Sequence, residues 1–268
     1  MSRIAAVQMT SGPDVEANLA DAGSLVSQAV SEGAGLVVLP ENFGLIGRRE
    51  RDKLAHVEAD GTGPMQDFLA GTARDHGVWL VGGSVPLETG GGDRVRQSLL
   101  VYDDQGRRVA RYDKIHLFDV ELDNGETYRE SGTIEPGDEV VSVDSPFGRL
   151  GLSVCYDLRF PELYRRLAEQ GATVMLVPSA FTLATGRAHW EPLLRARAIE
   201  NLAYVVAPAQ VGIHNNKRET WGHAMVVDSW GGIVGECEDG PGTVVADLDP
   251  ERLLNTRKKF PALEHRRL

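Results

Sequence analysis

An α/β fold with mixed β-sheets is the class this sequence predicts, and three observations predict it. Short apolar runs rich in strand formers alternate with segments whose apolar residues recur at spacings of three and four. Two pairs of such runs are joined by tight polar turns, the pattern of antiparallel hairpins set among crossover helices. No linker, low-complexity stretch or fixed-period repeat interrupts the alternation, so one domain is expected over residues 1–268.

Arg3 to Met9 reads as the first strand. Asp14 to Glu32 reads as a helix, with Leu19, Ala22, Val26, Ala29 and Val30 on one face and Gly33 and Gly35 ending it. Leu36 to Leu39 is apolar at every position, as a strand buried on both faces would be, and Pro40 stops it. A helix near Pro64 to His76 leads into a strand at Val78 to Val81, and Gly90-Gly91-Gly92-Asp93 is a loop tip. Gln97 to Tyr102 and Arg107 to Tyr112 flank the first hairpin turn, and Val140 to Asp144 and Leu150 to Val154 flank the second. Beyond Cys155 come a helix from Pro161 to Gln170, a strand from Thr173 to Val177, a helix from Ala188 to Asn201 and a strand from Ala203 to Ala207. Strands at Ala224 to Asp228 and Val244 to Asp247, with a tight Gly231-Gly232 turn between them, complete the pattern.

Lys and Arg total 28 against 39 Asp and Glu, a formal charge of −11 that repels phosphate backbones and excludes a nucleic-acid partner. The basic cluster Arg257-Lys258-Lys259 with Arg266 and Arg267 is too short to reverse this and is assigned to surface or subunit contact. No apolar run reaches the roughly 18 residues that cross a bilayer, and Met1 to Ser11 does not have the form of a leader peptide, so a cytoplasmic protein without a membrane partner is expected. Two cysteines are too few for a disulfide framework. No HExxH or paired Cys/His spacing points to a metal, no G-x-S-x-G to a serine nucleophile, and no G-x-G-x-x-G or P-loop to a nucleotide, so no cofactor is expected.

Cys155 stands where an apolar strand gives way to a helix, a place where backbone N–H groups can stabilise a thiolate or an oxyanion. Taken alone it is more often a small buried hydrophobe. Glu41 directly follows Leu36 to Pro40 and is a solvated loop acid or a site carboxylate; Lys114 follows the first hairpin and is a surface cation or a site ammonium. Together the three suffice for acyl transfer without histidine or metal. A thiol needs a base that later returns its proton to a leaving amine, and a carboxylate does both where a low dielectric raises its pKa. An ammonium and a backbone N–H then meet the oxyanion.

The segments Leu39–Phe43 (LPENF), Tyr112–Asp119 (YDKIHLFD) and Gly151–Leu163 (GLSVCYDLRFPEL) resemble the three catalytic motifs of the nitrilase-like carbon–nitrogen hydrolases. Pro178–Phe181, Ala188–Asn201 and Trp221–Gly232 extend the resemblance over the whole chain. It implies a four-layer αββα sandwich that pairs into a homodimer. It also implies Cys155 as a nucleophile forming a thioester, Glu41 as base and acid, and Lys114 with the Tyr156 backbone N–H as oxyanion donors. Glu130 matches a second glutamate that holds Lys114, against the plainer reading of an exposed loop acid.

Cys155-Tyr156-Asp157-Leu158-Arg159 looks like the amidase branch that holds the ω-amidases and the deaminated-glutathione amidases, rather than the nitrile-cleaving members with Cys-Trp-Glu. That resemblance makes Arg159 the clamp for a substrate carboxylate, with Phe181 and Thr185 lining the same pocket; an ion pair of Arg159 with Asp157 or Glu162 is the alternative. Phe118–Glu121, Ala207–Gln210 and His214–Arg218 lean toward deaminated glutathione, whose hydrolysis gives 2-oxoglutarate and cysteinylglycine, over the ω-amidase substrate 2-oxoglutaramate. Lys217 and Arg218 either meet the leaving group's carboxylate or are solvated loop charges, the second being favoured. A homologue that binds without catalysis is the remaining reading, and the presence of all four polar residues at their motif positions speaks against it. Cys237, among Glu236, Glu238 and Asp239, is read as a bystander.

Overall fold

The computed structural model describes residues 2–121, 125, 127–214 and 218–267. Among them the chain forms sixteen strands and five α-helices. It opens on β1 (Ser2–Met9) and α1 (Val15–Ser31), the latter capped by the Asp14 carboxylate, which accepts the Ala17 N–H at 3.1 Å. There follow β2 (Leu36–Val38), α2 (Pro64–His76), β3 (Trp79–Glu88), β4 (Val95–Tyr102), β5 (Arg108–Asp113) and a small ribbon of β6 (Asp119–Glu121) with β7 (Thr127–Arg129). The second half contributes β8 (Ser142–Ser145), β9 (Gly148–Leu152), α3 (Pro161–Glu169), β10 (Val174–Leu176), α4 (Leu183–Asn201) and β11 (Tyr204–Ala207). The last elements are β12 (Ala209–Ile213), β13 (Glu219–Trp221), β14 (Ala224–Val227), β15 (Ile233–Cys237), β16 (Gly242–Leu248) and α5 (Pro250–Lys259).

An eight-stranded sheet runs β13-β12-β1-β2-β3-β4-β5, with β16 antiparallel to β1, and a six-stranded sheet runs β15-β14-β11-β10-β9-β8. Parallel pairs (β1 with β2, β2 with β3, β9 with β10, β10 with β11) lie beside antiparallel ones, the mixed arrangement expected. Side-chain alternation on β1 defines the layers. Ala5, Val7 and Met9 pack with Ala22, Val26, Met65 and Leu69 of α1 and α2, while Ile4 and Ala6 belong to the core shared with the second sheet. That core continues to Leu163 and Leu167 of α3 and to Trp190 and Leu194 of α4. Two helices, two sheets and two helices are thereby stacked in the αββα order.

Several expected boundaries move. Helix α4 begins at Leu183 rather than Ala188, because the Thr182 hydroxyl caps it, accepting the Thr185 N–H at 3.4 Å. Strand β3 continues past Val81 to Glu88 and pairs with β4, so the glycine-rich loop is a hairpin tip. The Gly231-Gly232 turn joins β14 to β15, not to β16. Arg257, assigned to surface or subunit contact with its basic neighbours, instead anchors α5 internally, donating to the carbonyls of Leu202 (2.9 Å) and Ala172 (2.8 Å). No helix among the described residues is long and apolar enough to cross a membrane.

Candidate active site

Glu41, Lys114 and Cys155 each follow a strand, β2, β5 and β9 respectively, and the two sheets bring them to one cleft. Lys114 is 1% exposed and Glu41 2%. The Lys114 ammonium donates to Glu41 Oε1 at 2.9 Å and to both oxygens of Glu130 at 2.9 Å. Glu130 is therefore no exposed loop acid: it sits in the turn after β7, and its Oε2 also accepts the Phe118 N–H at 2.7 Å. The second oxygen of Glu41 accepts the Ala180 N–H at 3.0 Å, so both ends of this carboxylate are fixed.

Cys155 takes a left-handed backbone, φ 50°, and Asn42 beside Glu41 does likewise at φ 59°. A β-carbon in that region is strained, and such strain persists only where neighbours hold the chain. The Cys155 N–H donates to the Pro178 carbonyl at 2.9 Å. Asp157, fully buried, accepts the Val154 N–H (2.8 Å), the Tyr112 hydroxyl (2.7 Å) and the His116 N–H (3.0 Å), with His116 Nδ1 at 2.7 Å. One carboxylate thus binds the turn carrying the thiol to the strand end carrying the lysine.

Burial pushes the Cys155 thiol well up, and the neighbouring Glu41 charge adds to it, so at neutral pH the sulfur keeps its proton. Glu41 differs from the expected raised carboxylate. Burial pushes it up, but the Lys114 charge and hydrogen bond, with Lys53 and Arg218 behind, hold it below the ordinary value. Lys114 is lifted well above its ordinary range: burial lowers it, and Glu130 and Glu41 more than reverse that. The resting site is a thiol facing a carboxylate beside an ammonium, a base ready to accept and a cation ready to meet an oxyanion.

Arg159, Phe181 and Thr185 line the same cleft. The Arg159 guanidinium lies 5.3 Å from the Phe181 ring centre and 5.8 Å from that of Tyr156, with His189 Nδ1 at 3.2 Å. Its ion-pair alternative fails for Asp157, whose oxygens are occupied by the strand-end and turn groups. Sequence reasoning missed Glu50 and Lys53, which pair at 3.6 Å on the cleft wall. It also misjudged Arg218, which is no solvated loop charge: its side chain is largely buried in the cleft against Tyr128. Lys217 lies outside the described residues. Cys237 is remote from the cleft, its thiol raised by burial and by Asp239 and Glu236.

The carbon-nitrogen hydrolase family model matches residues 3–258. A deaminated glutathione amidase of Synechocystis is 45% identical over 265 residues, covering 98% of this chain and 97% of the relative. The crystal structure of the Caenorhabditis elegans NitFhit protein superposes with a TM-score of 0.92 at 40% identity, over 99% of this chain and 65% of that one. Saccharomyces cerevisiae Nit3, a member of branch 10 of the nitrilase superfamily, gives a TM-score of 0.90 at 33% identity, over 100% of this chain and 97% of its own.

Proposed function

The chain belongs to the carbon–nitrogen hydrolase family, and on that premise we propose that it is an amidase working through Cys155, Glu41 and Lys114. The observation that carries the proposal is the convergence of a buried thiol, a doubly held carboxylate and a carboxylate-bound ammonium in one cleft. Glu41 takes the thiol proton as sulfur attacks the amide carbon. The oxyanion is met by the Lys114 ammonium and the Tyr156 N–H, while Glu130 keeps Lys114 in place. Glu41 returns the proton to the leaving nitrogen, the C–N bond breaks and a thioester remains on Cys155. Water, deprotonated by Glu41, attacks the thioester, and the released sulfur recovers its proton as the carboxylic acid leaves.

Deaminated glutathione is the proposed substrate, released as 2-oxoglutarate and cysteinylglycine. The named relative supports it. Arg159 is assigned to the carboxylate of the 2-oxo acid, its guanidinium carbon lying 5.3 Å from the Phe181 ring centre. The test compares kcat/KM for deaminated glutathione and 2-oxoglutaramate. A preference of about a hundredfold for the tripeptide analogue, about 2.7 kcal/mol in transition-state binding, is expected. The reverse preference makes the protein an ω-amidase, and negligible turnover of both removes the substrate while leaving the chemistry. Arg159→Lys is expected to weaken both substrates by about 10- to 100-fold in kcat/KM, since an ammonium cannot take both carboxylate oxygens in one plane.

A homodimer in a cytoplasmic setting completes the proposal. The catalytic thiol needs a reducing compartment. Ile199, Phe260 and Trp230 are exposed, with the Trp230 and Phe260 rings 5.7 Å apart and Ile199 against the neighbouring Gly231. A second copy covering this surface would bury them. Trp230→Asp is expected to shift the mass seen by light scattering toward the monomer; an unchanged dimer mass places the contact elsewhere, and a wild-type monomer removes it.

A further inference from the structure

Arg218 grips the residue that grips the general base. Its Nη2 donates to the Ala180 carbonyl at 2.8 Å, and the Ala180 N–H donates to Glu41 Oε2 at 3.0 Å. The guanidinium is itself held. Glu50 Oε1 lies 3.7 Å from Nη1, the Tyr128 ring centre lies 5.5 Å from the guanidinium carbon, and the Arg218 carbonyl accepts the His214 N–H at 2.9 Å. Glu50 is shared with Lys53, 3.6 Å away. We propose that Arg218 is a positioning residue for proton transfer, fixing Ala180 so that Glu41 stays aimed at Cys155, rather than a group that touches the substrate. The proposal rests on Glu41 being the base.

A carboxylate that must take a proton from sulfur, return it to nitrogen and then activate water has to keep one orientation through three transfers. Lys114 fixes one oxygen of Glu41 and Ala180 the other. Ala180 also faces the thiol, where its N–H opposes the rise that burial imposes on Cys155. Movement of Ala180 would therefore disturb base and nucleophile together, and misplacement by about 1 Å costs about 10²-fold in rate. Arg218 carries a second effect. Among the described residues, the cations that lower Glu41 are Lys114 after β5, Lys53 before α2 and Arg218 before β13, and Glu50, Glu130, Cys155, Arg129 and Arg159 line the same cleft. Removing one of the three cations raises the proton affinity of Glu41, so the acid limb of the pH–rate profile moves to higher pH.

The experiment measures kcat and KM against pH for wild type, Arg218→Met, Arg218→Lys and Glu41→Gln with the better of the two amide substrates. Arg218→Met keeps the apolar stem beside Tyr128 and is expected to lose about 10²-fold in kcat with KM little changed. Its acid limb should rise by up to about one pH unit. Arg218→Lys keeps the charge but offers a point donor, so its limb should stay at the wild-type pH while kcat falls by less. A rise in KM at wild-type kcat in Arg218→Met makes Arg218 a substrate contact and overturns the proposal. An unmoved limb in a folded Arg218→Met does so as well. Should Arg218→Met not fold, wild-type kcat in Arg218→Lys overturns the grip on Ala180, and a lowered kcat at unchanged KM sustains it. Glu41→Gln separates the two readings: if it turns over, the base assignment fails, whereas an inactive Glu41→Gln beside wild-type Arg218 variants removes this inference alone.

Discussion

Cys155→Ala is expected to lower turnover by about 10⁴-fold or more while the protein stays folded, and Cys237→Ala to change neither. The difference follows from where the two sulfurs sit. Cys155 is buried against Glu41 at the mouth of the β9 turn, and its left-handed backbone is held by the Pro178 carbonyl and by Asp157 through Val154. Alanine bears the same β-carbon, so it adopts that conformation at no greater strain than cysteine, and the stability change should stay within about 1 kcal/mol. What is lost is the atom that attacks. Cys237 lies at the end of β15, where burial and then Asp239 and Glu236 raise its thiol, and it does not line the cleft. Thermal unfolding and steady-state rates on the two variants decide the matter, and rapid quenching of the wild type followed by intact-mass measurement checks for the acyl group on Cys155. Equal activity in both variants would remove the nucleophile assignment.

The core of the candidate site was legible because its residues stand at strand ends inside motifs several residues long. Local pattern alone leaves Glu41, Cys155 and Lys114 ambiguous; the motif resemblance singles them out, and the sheets bring them to one cleft. The wall of the cleft was less legible. Glu50 and Lys53 lie in a short 3-10 helix, and nothing in Glu50-Arg51-Asp52-Lys53 separates a solvated charge pair from one on a cleft wall. Arg218 illustrates the same limit: burial of a loop cation is decided by Tyr128, Ala180 and Glu50, which are far away in sequence.

Strand β3 shows a different limit. Beyond Val81 it carries Gly82, Gly83 and Pro86, residues that argue against a strand interior. The two glycines are required by packing: a β-carbon on Gly82 would meet Leu69 at 2.4 Å, and one on Gly83 the Leu39 carbonyl at 2.2 Å. Close approach of β3 to α2 and to the chain that presents Glu41 is the reason for the glycines, and it cannot be read without the fold. Strand β11 was expected, but β12 directly after it was missed, for a related reason. The chain leaves the six-stranded sheet at Ala207, turns at Pro208 and enters the eight-stranded sheet at Ala209, so one apolar run serves two sheets. That crossing places Gln210 where its amide donates to the Glu41 carbonyl at 3.1 Å and to the Ser11 hydroxyl at 2.8 Å.

Lys114→Met should cost both activity and stability, and the stability loss should shrink as the pH falls. Lys114 is the shared partner of two buried carboxylates, and methionine keeps its length without its charge. Removing one member of a buried ionic cluster typically costs about 3–5 kcal/mol, because the remaining charges stay out of water. For a chain of this size that corresponds to a fall in Tm of about 10 °C. Loss of an oxyanion donor should lower kcat by a further 10²- to 10³-fold, about 3–4 kcal/mol. In the wild type Glu41 is held below the ordinary carboxylate value by Lys114 against burial. Its contribution is therefore present above the unfolded pKa of about 4.3 and is lost as pH falls through the lower folded value. In Lys114→Met burial faces only the more distant Lys53 and Arg218 charges, and Glu41 should rise above about 4.3. The folded variant then binds more protons than the unfolded one, so it regains stability as pH falls through that raised value. The two Tm curves should converge between about pH 8 and about pH 5, the wild type not sharing the variant's gain. Parallel curves would show that Glu41 does not depend on Lys114 for its charge, and the thiol–carboxylate–ammonium reading of the site would fall with that result.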